Sequence, residues 1–290
     1  MGELTWPFRA AEALDAGAIS VRDLRKFYRA VYPGVYAPRG IELSAVERGR
    51  AASLWSRRRG VAAGLSAAAL LGAKWIEPSL PAELIHTNRR PPPLMTVHSD
   101  DLLAGETRKV AGLIVTSPAR TAFDVGRRSE LTAGVQRLDA LMQATDVKAV
   151  DIEAVMARHS GVRGLTQLRR TLRLVDGGAE SPYESLTRLL LVQAGFPALQ
   201  TQLEVIDRYG LVCARIDMGW REWLVGVEFD GAQHWTDSRQ RTRDIDRLAE
   251  LLDLGWTIVR VSSGMLHNTP QVISTRVGAA LIARGCPKTW

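Results

Sequence analysis

The chain has 290 residues, which is too long for one small domain and suits two. Its composition, 46% hydrophobic and 24% charged, is ordinary for a soluble globular protein, and its net charge is +7. No apolar run is long enough to cross a bilayer: the longest, Val61 to Ala73, holds Gly64, Ser66 and Gly72 and stops at Lys74. Met1 to Ala10 carries Glu3 and lacks a basic start before an apolar core, so it does not read as a signal peptide. Cys213 and Cys286 form no disulfide framework and no zinc site, and they read as reduced thiols of a cytoplasmic protein.

Charge is unevenly spread. From residue 176 onward 12 Lys and Arg stand against 14 Asp and Glu, whereas the first 175 residues carry 26 against 17. A basic front and a slightly acidic back fit a division of labour in which the front meets phosphate and the back holds a cation. Arg outnumbers Lys 33 to 5, so a base-composition bias in the coding genome is a competing explanation.

In chain order, Pro7 to Ala16 predicts a short helix ended by Gly17, and Ser20 caps a second helix over Val21 to Ala30. Val31-Tyr32-Pro33-Gly34-Val35-Tyr36 predicts a tight turn between two short strands. Two helices followed by a β-wing make a winged helix-turn-helix-like segment over residues 1–40. In it Arg22, Arg25, Lys26 and Arg29 are candidates to meet DNA. Residues 41–175 form a mainly helical α+β middle region. It holds helices over Leu43 to Arg59, Val61 to Leu71, Ser117 to Arg127, Leu131 to Met142, Val150 to His159 and Leu165 to Val175, with short strands at Leu84 to Thr87, Met95 to His98 and Leu113 to Thr116. The run Arg57-Arg58-Arg59 closes the first of these helices. Asp176-Gly177-Gly178-Ala179-Glu180 marks a boundary, after which residues 176–290 read α-β-β-β-α-β-α.

Four acids in that last region carry the chemistry. Glu228 and Asp230 lie two apart at the end of an apolar strand and so share a face, where carboxylates are depleted and costly to bury unpaired. Asp217 ends the preceding strand, and whether it meets Glu228 depends on register. Glu184 sits in the first turn of the helix before, where a Ser181-x-x-Glu184 capping box accounts for it without a ligand. Gathered carboxylates suit a hard divalent cation, Mg²⁺ or Mn²⁺, which would activate water and polarise a phosphodiester. His234, in the loop after Asp230, is a candidate acid, base or phosphate partner. Arg243 and Arg247, four apart on the next helix, could face a phosphate or pair with the acids.

Asp217, the run Val-Glu228-Phe-Asp230-Gly231-x-x-His234, Arg243-Asp244-x-x-Arg247 and the strand Gly255-Trp-Thr-Ile-Val-Arg260-Val together resemble the endonuclease-related domains allied with the very-short-patch-repair endonucleases, of the PD-(D/E)xK superfamily. The resemblance implies an α/β fold with an αβββαβ core. It further implies metal bound by Asp217, Glu228 and Asp230, assistance from Glu184 and His234, and metal-dependent DNA endonuclease activity. One departure is Asp230, which stands where the superfamily usually has a lysine; Gln233, His234 or Arg243 would have to take that role. The front is similar, more loosely, to AbiEi-type antitoxin proteins through Pro33-Gly34-Val35-Tyr36, Ser66-Ala67-Ala68 and Val115-Thr116-Ser117-Pro118-Ala119-Arg120-Thr121-Ala122-Phe123-Asp124. That resemblance implies the alternative: a non-catalytic DNA-binding regulator or antitoxin-like protein, with a toxin partner, using the nuclease fold as scaffold.

Overall fold

A computed structural model of the chain describes residues 5–88, 90–231 and 238–290, with the side chains of 238–244 outside that description. The chain divides into two compact units, Met1–Arg173 and Leu174–Trp290, both of mixed α/β character. Among the described residues no helix is long and apolar enough to cross a membrane.

The first unit opens with β1 (Phe8–Arg9), α1 (Ala10–Asp15), α2 (Val21–Phe27), β2 (Tyr28–Tyr32) and β3 (Val35–Pro38). The Ser20 hydroxyl accepts the Asp23 N–H and caps α2. The helix stops three residues earlier than the sequence suggests, because Tyr28 to Tyr32 give their backbone bonds to β3 and form an antiparallel sheet in the order β1-β3-β2. Tyr32 and Val35 enter the same core as Ala51, Ala62, Leu84 and Val115, so residues 1–40 share one unit with the region that follows.

Next come α3 (Ala45–Trp55), β4 (Val61–Ala62), α4 (Gly64–Leu70), β5 (Ala82–Ile85), β6 (Met95–His98), β7 (Thr107–Val110) and β8 (Leu113–Thr116). Four helices close the unit: α5 (Pro118–Arg128), α6 (Leu131–Ala144), α7 (Ala149–Arg158) and α8 (Leu165–Leu172). The five-stranded sheet runs β6-β5-β4-β8-β7. The small-residue segment expected as one helix from Val61 instead begins as β4, which pairs with both β5 and β8. It turns into α4 at Gly64, whose φ is +52°. A side chain there would lie 2.2 Å from the Glu83 carboxylate, which accepts the Leu65 N–H and pairs with His98. β7, Thr-Arg-Lys-Val, is an exposed edge strand without apolar alternation, which is why the sequence does not announce it.

The second unit contains α9 (Pro182–Gln193), β9 (Gln200–Ile206), β10 (Val212–Trp220), β11 (Val225–Asp230), α10 (Ser238–Asp253), β12 (Thr257–Ser262), α11 (Ser263–Asn268) and α12 (Pro270–Ala283). Its sheet runs β12-β11-β10-β9, with β9, β10 and β11 antiparallel and β12 parallel to β11. One core joins Met218, Val227 and Val261 to Leu191 of α9 and to Ile273, Val277 and Leu281 of α12. The other joins Leu203, Val205, Ala214 and Ile216 to Leu251 of α10.

The first unit is built around a buried guanidinium. Arg120 is 1% exposed. It donates to the carboxylates of Glu106 and Asp124, both 0% exposed, and to the Asp101 carbonyl. His159 and Arg158 reach the other Glu106 oxygen at 2.8 and 2.9 Å. Arg127 and Arg128 bridge Asp124 to Asp100. Burial alone would push Glu106 up, but its bonds from His159, the Leu103 N–H and Arg120 outweigh that and hold it below the usual carboxylate range. Removing one member of such a network strands the others as buried charges. Arg120→Met is therefore expected to cost about 3–5 kcal/mol in denaturant or thermal unfolding. Arg58→Ala, which breaks the exposed Arg58–Glu12 pair, is expected to cost at most about 1 kcal/mol. Equal losses would show that the network is not what secures this unit.

Candidate functional site

β10 and β11 pair at Trp220↔Val225, Gly219↔Gly226 and Met218↔Val227, and their ladder ends there. The next residues on the two strands are Asp217 and Glu228, which this register sets opposite each other. Beyond that point β10 stays paired with β9, and β11 stays paired with β12 as far as Asp230↔Ser262. The Asp217 carboxylate accepts the Phe229 N–H at 2.8 Å. A side chain thus satisfies a backbone donor at the fork where the strands part.

The fork carries a second irregularity. Ile216 and Met218 are two apart on β10 and should face the same way, yet they belong to opposite cores. A Cβ on Gly226 would lie 2.8 Å from Ile216 and 2.8 Å from Ile258, which fixes the side on which Ile216 packs. On β9 the neighbouring residue is Gln202, between the pairs Ile216↔Leu203 and Met218↔Thr201, and its φ is +50°. A non-glycine residue in that conformation is strained and persists where its surroundings impose it. The Gln202 amide donates to Glu184 at 3.3 Å.

Glu184 is brought to the same place by α9. Ser181 caps that helix by accepting the Glu184 N–H. The expected return bond differs: the Glu184 carboxylate accepts from the Glu180 N–H at 2.8 Å, one residue before the cap. Glu184 is 8% exposed and Glu228 6%. Burial, reinforced by the negative charge of Glu184, raises the Asp217 carboxyl to about 7 against the pull of the Phe229 N–H, and Glu228 pushes the same way. Burial also raises Glu184, against the bonds from Glu180 and Ser181. Glu228 has a counter-cation: both its oxygens accept from Arg247 of α10, at 2.7 and 2.9 Å.

The structure thus brings Glu184, Asp217 and Glu228 into one electrostatic neighbourhood. Asp230 instead pairs with Arg260 of β12 at 3.4 Å and is 30% exposed. Arg247, read as facing a phosphate or pairing with the acids, pairs with Glu228. His234 and Gln233 lie outside the described residues, as does the side chain of Arg243. Gln202 was not legible as a site residue, because its position in β9 reads as an ordinary outward polar residue. Among the described residues no three His, Cys, Asp or Glu side chains stand in a metal-ligating arrangement. In the first unit Arg22, Arg25 and Lys26 of α2 are exposed, whereas Arg29 donates to the Ile41 carbonyl at 2.9 Å. Chemically, the acid cluster can retain a proton near neutral pH, or exchange its internal repulsion for a bound cation.

Residues 61–174 match the AbiEi antitoxin C-terminal domain family. The match runs from β4 to the start of the second unit and contains the whole Arg120 network. The chain is also similar to two proteins of Mycobacterium tuberculosis, one from each of two strains and both described as uncharacterized. Each is 28% identical over 251 residues, covering 87% of this chain and 91% of the relative. No solved structure matches.

Proposed function

We propose that this chain is a DNA-binding regulator of the antitoxin type, whose second unit serves as a scaffold and not as a nuclease. The observation that carries this reading is the match of residues 61–174 to the AbiEi antitoxin C-terminal domain. Two features of the acid cluster support it. Arg247 engages both oxygens of Glu228, and the position where the resembled nucleases keep a lysine holds Asp230, paired with Arg260. DNA contact is assigned to the exposed Arg22, Arg25 and Lys26 on α2, in a front region with a large basic excess. Such contacts go to phosphate and release counterions, so they supply affinity without sequence reading. The description of the matched family brings a toxin protein as the second partner.

A second reading, a metal-dependent phosphodiesterase centre, is favoured by one observation: Asp217 is held at about 7 by burial and by like charge from Glu184 and Glu228. The carboxylates suit a hard cation by donor type but, among the described residues, do not stand in a metal-ligating arrangement; Asp217, Glu184 and Glu228 would have to draw together, with Arg247 releasing Glu228, to hold Mg²⁺ or Mn²⁺. When bound, the ion would supply Lewis acidity and an activated water.

Fluorescence anisotropy with a short mixed-sequence duplex tests the first reading. Replacing Arg22, Arg25 and Lys26 by Ala should weaken binding and reduce the slope of log K against log salt by roughly one unit for each phosphate no longer neutralised. An unchanged slope would remove α2 from the DNA interface. Plasmid incubated with Mg²⁺ or Mn²⁺ should stay intact; nicking that disappears in Asp217→Ala would replace the scaffold reading with the nuclease reading.

The Asp217 carboxyl also predicts a stability profile. Its folded value is raised, so the folded chain keeps a proton that the unfolded chain has already lost. Stability should fall as pH rises from the ordinary carboxylate range near about 4 through about 7, then level off. Asp217→Asn should flatten that slope, leaving the part that the raised Glu184 contributes, and melt higher than wild type at about pH 8. Mn²⁺ that raises the wild-type melting temperature at that pH, but not that of Asp217→Asn, would locate a cation at the cluster.

A further inference from the structure

The first unit contains a cavity of about 680 Å³, large enough for a small ligand, and its lining is chemically mixed. Its basic edge is made by Arg57 and Arg59, both exposed, at the end of α3. Its aromatic side is made by Trp55 and His86, whose rings lie 6.1 Å apart and tilted by 58°.

The backbone at Arg57 is informative. The Arg57 N–H bonds to Leu54 O and the Arg58 N–H to Ser53 O, the paired bonds of a helix end that turns left-handed. Arg57 and Arg58 have φ of +55° and +61°, a conformation for which glycine is the usual choice. Arg58 has a structural use, a two-pronged bond to Glu12 at 2.6 and 2.7 Å. Arg57 and Arg59 have no carboxylate within ion-pair reach among the described residues. Arg57 thus lines the cavity in a strained conformation, with its guanidinium free of any carboxylate among the described residues.

Of the two acids on the opposite wall, only the exposed Asp101 has no cation on its carboxylate among the described residues. Asp100, which lines the cavity, is already bonded to Arg127 and Arg128. The Arg120 network behind it also holds the Asp101 carbonyl, so that wall is fixed in place. His86 is oriented as well: its Nδ1 accepts the Asn88 N–H at 2.9 Å, which leaves Nε2–H as a donor.

We propose that this cavity binds a nucleotide unit, with the phosphate on Arg57 and Arg59 and the base against Trp55 and His86. Arginine forks match phosphate oxygens, and a planar base gains stacking on an aromatic side chain whatever its sequence. Asn88 and Asp101 at the lining supply hydrogen-bonding partners for base or sugar edges. The same chemistry is offered by a free mononucleotide and by an unpaired nucleotide of a single strand. The site is separate from α2 and from the acid cluster, so it stands or falls apart from the reading above.

Isothermal titration calorimetry on the full chain, with mononucleotides of each base, a single-stranded trinucleotide, a nucleoside and inorganic phosphate, tests it. Saturable binding of a phosphate-bearing base is expected, tighter than that of nucleoside or phosphate alone. Tighter binding of the mononucleotide points to a free ligand, and tighter binding of the trinucleotide to a single strand. Arg57→Gly, which suits the left-handed turn, combined with Arg59→Gln should weaken binding by roughly tenfold or more with an unchanged melting temperature. The triple Ala variant at Arg22, Arg25 and Lys26 should bind as wild type. Absence of binding, binding equal to that of phosphate alone, or full binding by the Arg57→Gly, Arg59→Gln variant would each overturn the proposal.

Discussion

Arg120 is a guanidinium that water does not reach, and the first unit is arranged around keeping it neutralised. A charge of that kind is tolerated only when it is paired and hydrogen-bonded on several sides. Its partners come from separate parts of the chain: Glu106 from the segment before β7, Asp124 from the next turn of α5, the Asp101 carbonyl from the loop after β6. His159, at the end of α7, completes Glu106. The network therefore fixes how the helices sit against the edge of the sheet. Apolar packing, which is not directional, would leave that arrangement less determined.

The acid cluster of the second unit has the opposite balance. Glu184, Asp217 and Glu228 are gathered beside the guanidinium of Arg247, which closes on both oxygens of Glu228 and offsets only part of the upward push on Asp217. The remaining repulsion stays on Asp217 and keeps its proton near neutrality. The Arg120 network is compensated on several sides; a set of acids held together without full compensation retains the capacity to bind a proton or a cation. The strained Gln202, bonded to Glu184, and the opposite packing of Ile216 and Met218 lie beside this set. Whether the capacity is used separates the scaffold reading from the nuclease reading, and the Asp230–Arg260 pair together with the Arg247 clamp weighs toward the scaffold.

Much of the local structure was legible because it is local. Ser20, Ser117 and Ser181 each cap the helix that follows. Pro270 opens α12 (Pro270–Ala283), at a position where a missing N–H costs no helical bond. The alternation of β10 and β11 put Asp217 and Glu228 near strand ends. Less legible were elements whose reason lies elsewhere in the chain. β4 is two residues that become a strand because β5 and β8 flank them, and α2 is cut short because β3 claims Tyr28 to Tyr32.

The sequence by itself determined the helix starts at Ser20, Ser117 and Ser181, the uneven charge and the candidacy of Glu184, Asp217 and Glu228, since these follow from near-neighbour spacing, capping chemistry and composition. Only the tertiary structure decided that Arg247 belongs to Glu228, that Asp230 turns to Arg260, that Gln202 joins Glu184, and that Arg120 rather than an apolar side chain centres the first unit. Each of these is a directional interaction between residues distant in the chain or on different elements. Register and burial set its strength, and neither is encoded in any short stretch of residues.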